Sequence, residues 1–94
     1  MNEYQANVLI SKLLKMLLKN SSLREKKEIH LGQSAWIDIW YGLYRGNIKE
    51  SEGSSREFAG VTFLRDSTLQ PDEIRLFCSG KCMKRLSNWQ DIEC

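Results

Sequence analysis

The sequence predicts an α+β domain: one N-terminal amphipathic helix, then an antiparallel meander of four or five strands. Three observations carry this. Apolar residues recur at helical spacing over residues 3–19. Short alternating segments separated by Gly-, Ser- and Pro-containing turns occupy residues 27–94. The connections between those segments are too short for crossover helices, which argues against parallel pairing. A curled sheet or small barrel is the variant that would hide both faces of the strands. At 94 residues the chain, 1–94, makes a single domain with one core.

The helix comes first. Ala6, Ile10, Leu13 and Leu17 share one side, widened by Leu9 and Leu14, and Lys12, Lys15 and Lys19 gather opposite. Asn2 is placed to cap the start, and Asn20–Ser22 is a plausible stop. Val8, Met16 and Leu18 fall outside the main stripe. That surplus breadth offers a homodimer contact.

The strands follow. "KEIHL" (Lys27 to Leu31) alternates, with His30 turned to solvent, and "GQS" turns the chain. "AWIDIWYGLYRG" (Ala35 to Gly46) is then read with a period of two. One face is Ala35, Ile37, Ile39, Tyr41 and Leu43; the other is Trp36, Asp38, Trp40, Gly42 and Tyr44. Gly42 marks a bulge or a close backbone approach. A polar loop runs from Gly46 to Glu57, "EFAGVTFL" (Glu57 to Leu64) is a third strand, and "EIRLFC" (Glu73 to Cys78) is a fourth. After "SGK", the segment from Cys82 fits either a fifth strand or a short helix placing Leu86 and Trp89 on the sheet.

Composition narrows the class. With 41% hydrophobic and 28% charged residues, the chain folds rather than remaining disordered. Glu3 and the helix lysines break up any secretory signal, and no apolar run is long enough to span a membrane. Three cysteines, an odd number, do not fit an even disulfide framework. These features together read as a cytoplasmic protein away from membranes. The net charge of +2 is unevenly spread: residues 1–31 carry +3, 32–73 carry −3 and 74–94 carry +2. Basic ends around an acidic middle suggest a basic patch if the ends meet.

Trp36, Trp40 and Tyr44 form the main constellation. If the helix covers the opposite face, these rings line an exposed strand face with Asp38 among them, an anchor set for a protein partner. The bland alternative is that this face is buried too. With the rings docked on a partner, Glu50 and Glu52 in the acidic loop would contact a basic surface of it. The same rings also suit stacking of nucleic-acid bases, with Lys12, Lys15, Lys19, Lys81, Lys84 and Arg85 engaging phosphates. Cys78, Cys82, Cys94 and His30 make a formal Cys₃His set, but their spacing is not that of a zinc module; Cys78 and Cys82 could also face each other across the "SGK" hairpin as a redox pair, and a buried Cys78 with inert thiols elsewhere explains them better than either. No nucleophile motif, phosphate loop or tuned acid pair is present, so neither an enzyme nor a cofactor is expected.

The expected function is therefore a small non-enzymatic protein-binding module. It would act as an inhibitor, adaptor or accessory factor of the kind phages and mobile elements encode, docked on a larger protein, with a nucleic-acid-processing enzyme fitting the acidic loop. Single-stranded nucleic-acid binding is the alternative.

Overall fold

The computed structural model describes residues 2–19, 24–46, 49 and 53–89. The elements run α1 (Glu3–Lys19), β1 (Lys27–Leu31), α2 (Gln33–Leu43), β2 (Ser55–Phe58), β3 (Val61–Arg65), β4 (Ile74–Cys78) and β5 (Lys81–Leu86). The five strands form one open sheet in the order β2-β3-β1-β4-β5, and both helices pack on the same face.

Helix α1 matches its sequence pattern. Ala6, Leu9, Ile10, Leu13 and Leu17 are buried, and burying a Leu or Ile side chain is worth about 1.5–3 kcal/mol. Its start is a reciprocal cap. The Gln5 amide donates to Asn2 Oδ1 at 2.8 Å, and the Asn2 amide donates to Gln5 Oε1 at 3.0 Å. The Asn20–Ser22 stop lies outside the described residues.

The largest departure from the sequence reading is the stretch from Ala35. It is helix α2, not a strand. Ala35, Trp36, Ile39 and Trp40 are buried at helical spacing, whereas Ile37 and Tyr41, assigned to a core strand face, are 44% and 46% exposed. Almost every residue here is apolar, so periods of 2 and 3.6 both find a continuous stripe. Packing of two indoles on the sheet then outweighs the strand preference of isoleucine and aromatic residues. Gly42 is accordingly a buried helix residue beside Asn2 and Glu3 of α1, not a bulge. The helix ends in a Schellman turn: the Gly46 amide donates to the Tyr41 carbonyl at 2.8 Å, with Arg45 (φ 55°) and Gly46 (φ 83°) both left-handed.

That helix changes the topology. With α2 as crossover, β1 pairs parallel to β3, Ile29 opposite Phe63, while β4 pairs antiparallel on the other side of β1. The sheet is mixed and open, neither a purely antiparallel meander nor a closed barrel. The expected third strand is two strands. β2 and β3 fold back through Ala59 (φ 53°) and Gly60 (φ 78°), the two-residue turn that matches strand twist. Ser79 and Gly80 repeat that geometry between β4 and β5. The segment after "SGK" is strand as far as Leu86. Met83 is the extra residue where the β4–β5 register slips, and it stands exposed.

Candidate functional site

The aromatic residues proposed as a surface are core. Trp36 and Trp40 are each 1% exposed. Their rings meet edge-on at 5.4 Å, and Trp40 meets Phe63 of β3 the same way at 5.5 Å. Tyr44 is half-buried, and the Arg56 guanidinium lies 5.0 Å over its ring and 5.7 Å over that of Trp40. The helical arrangement points all three rings inward, where no partner or base reaches the tryptophans. Asp38 is half-buried on the same helix, and burial raises its carboxyl above the usual range. Glu50 and Glu52 lie outside the described residues.

Among the described residues, neither helix covers the other face of the sheet. Strand alternation puts Ile29, Leu31, Phe63, Ile74 and Leu76 under the helices and the intervening residues on the far side. Pairing aligns those residues in two rows across five strands. One runs Ser55, Leu64, His30, Arg75, Arg85, and the other Glu57, Thr62, Glu28, Phe77, Cys82. The central members of both rows are half-buried, and the outer ones are exposed.

His30 lies at the middle of this face, 19% exposed at its side chain rather than turned fully to solvent. Its Nδ1 is 2.9 Å from Asp66 Oδ2, and its ring lies 4.1 Å from that of Phe77. Asp66 also accepts from the Thr68 amide at 2.9 Å and from the Thr68 hydroxyl. The bonds from Thr68, then that from His30, lower the Asp66 carboxyl to about 2. His30 Nε2 is buried with no hydrogen-bond partner among the described residues, and Glu28 Oε1 stands 3.9 Å away. Beside this couple, the buried Glu73 carboxylate accepts from Arg75 Nε and Arg85 Nε, each at 2.7 Å. The Arg75 bond leads in holding that carboxyl low.

This arrangement fixes side chains on a flat surface. The Thr68 hydroxyl is bonded to the Asp66 carboxylate, as the His30 imidazole is. Cys78 is buried on the helix side with its thiol on the Glu25 carboxylate, while Cys82 is exposed in the opposite row. The two are therefore not facing partners, and Cys94 lies outside the described residues. Among the described residues no group of three or more His, Cys, Asp or Glu could hold a metal ion.

The proposed phosphate-binding residues divide. Lys15 and Lys19 are exposed and Lys12 half-buried on α1. Lys81 and Lys84 pair with Cys78 and Leu76, core-facing residues of β4, and so stand on the helix side of exposed strand β5. Arg85 stands on the opposite face, held by Glu73. The sequence reading missed the His30–Asp66 couple and the Glu73 arginine clamp. The "DST" turn signal at Asp66 was available, but not which strand it would meet. No helix among the described residues is long and apolar enough to cross a membrane. Comparison of the chain with protein-family models, with curated proteins and with solved structures finds no match.

Proposed function

We propose that this protein is a small non-enzymatic binding module that docks on a larger protein through the uncovered face of its sheet. The observation that supports this most is the one-sided cover: two helices pack on one face, and Leu64, Thr62, His30 and Phe77 remain half-buried on the other. A rigid sheet presenting apolar and aromatic area ringed by both charges suits protein recognition, because little side-chain freedom is lost on docking. The bonds that Arg75 and Arg85 donate to Glu73 and the bond that His30 donates to Asp66 preorganise that ring. Action as an inhibitor, adaptor or accessory factor follows from a small binding surface without catalytic groups.

The test is affinity capture with the wild-type chain and a Thr62→Lys/Leu64→Glu double variant, both with native far-UV spectra and cooperative melting. Partners held by the wild type should be lost by the double variant and kept by Lys15→Glu, which alters only the far side of α1. Equal capture by all three proteins would sink this reading.

A further inference from the structure

The cations are gathered by the fold. Of 14 lysines and arginines, Lys12, Lys15, Lys19, Arg24, Lys26, Lys27, Lys81 and Lys84 all belong to α1, the approach to β1, β1 itself or β5. The ladder converges several at one end of the sheet. Lys27 sits opposite Cys78, Cys78 sits opposite Lys81, and the Ser79 amide donates to the Lys26 carbonyl at 2.8 Å. Helix α1 packs on β4 and on α2, with Glu3 on its α2 flank paired to Arg45 at 2.7 Å. Its other flank, carrying Lys12 and Lys19, therefore lies toward β5.

Among the described residues one carboxylate stands at this end: Glu25, which accepts from the Cys78 thiol and keeps its charge, while Lys27 is buried with Nζ on the Glu25 carbonyl at 3.1 Å. Glu28 and Glu57 project from the other face, and Asp66, Asp72 and Glu73 lie past the opposite ends of the strands. The exposed set is Lys19, Arg24, Lys26 and Lys81, extended by Lys15 and Lys84.

We propose that this basic end binds the phosphate backbone of double-stranded nucleic acid without reading its sequence. The occupant follows from what accompanies the charge. Single-strand binders stack bases on exposed rings, but Trp36 and Trp40 are buried here, Phe58 stands at the far edge of the sheet, and the exposed Tyr4 and Tyr41 lie by the start of α1, the opposite end from Lys19. An anionic membrane calls for an apolar, aromatic-bearing helix face, whereas α1 exposes only Tyr4 and Leu18 as large apolar residues. Point charges alone remain, and they suit a regular line of phosphates. This inference uses a different surface from the sheet face and does not rest on the protein-docking reading.

Fluorescence anisotropy with two unrelated labelled duplexes of about 20 bp tests it, with affinity expected to fall about 100-fold between about 50 and about 200 mM salt, as for about four neutralised phosphates. The two duplexes should bind equally, and the single strand no more tightly. The triple variant Lys19→Glu/Lys26→Glu/Lys81→Glu, checked for native melting, should lose at least about tenfold at low salt. Lys49→Glu, exposed elsewhere, should change little. The proposal is overturned by no binding at low salt, by a salt-independent signal, by equal loss in Lys49→Glu, by a tenfold preference for the single strand, or by capture on anionic vesicles without duplex binding.

Discussion

His30 and Asp66 are joined at 2.9 Å across 36 positions of sequence, and that bond ties the central strand β1 to the turn following β3. The pair fixes the middle of the open sheet face, because the imidazole so held also lies against Phe77 of β4.

Acid should reveal what holds Asp66, the bonds from Thr68 first and that from His30 with them. The Asp66 carboxyl is lowered from 3.8 to about 2, so its contribution is fully present above pH 3.8 and disappears as pH falls toward 2. For a carboxylate this near solvent the contribution is on the order of 1 kcal/mol. Denaturant unfolding from pH 5 to 2 should show Asp66→Asn less stable at the upper end, with the gap closing in acid. Parallel curves would remove the Asp66 bonds to Thr68 and His30 from the account of stability.

Trp40→Ala should cost about 3–5 kcal/mol, because it leaves a cavity between α2 and β3 and strips the ring that Phe63 and Arg56 pack against. Against a typical total of about 5–15 kcal/mol, that loss is a large fraction of the fold's stability. Thermal unfolding measures it. A variant melting like the wild type would place the indole outside the core.

Gly32→Ala should be more damaging than its size suggests. A Cβ there would stand 1.9 Å from the Gln70 carbonyl oxygen and 2.6 Å from that of Pro71, backbone that cannot swing aside. The same loop caps α2, since the Ala35 amide donates to the Pro71 carbonyl and the Gly32 amide to that of Glu73. A loss of about 3 kcal/mol or more is expected. Near-neutral substitution would show that the loop gives way.

Asn2→Ala removes one half of the α1 cap and should cost about 1 kcal/mol. Gln5→Ala removes the other half. A double-mutant cycle in denaturant should show the two losses less than additive, since each single change already breaks the reciprocal pair. Strict additivity would mean the two bonds act separately.

Much of this fold was legible in the sequence, and the failures have physical causes. Helix α1 was readable because lysines interrupt its apolar stripe and fix the period. β1, the approach to β4 and the turn at Ser79–Gly80 were readable because alternation and turn residues coincide. Helix α2 was not, because nearly unbroken apolar sequence gives no polar face from which to count. Misreading it also removed the crossover that a parallel β1–β3 pair needs. The β2–β3 hairpin escaped because its turn is Ala59–Gly60, and alanine seldom takes a left-handed conformation. At the binding surface, alternation alone places His30 and Arg75 opposite the core residues of their strands. Which residues become neighbours across the open face depends on strand order, which local sequence does not carry.

Strand β1 lies at the middle of the sheet, yet both its neighbours come from later in the chain. The two hairpins, β2–β3 and β4–β5, close over short spans, whereas β1 needs long loops closed on both sides. The hairpins are therefore the pieces suited to form early, with the N-terminal half docking between them last. During synthesis, α1, β1 and α2 must wait for residues beyond Glu73 before the central ladder can be completed. A nascent chain halted before β4 should remain protease-sensitive throughout, although its hydrophobic N-terminal half is already made.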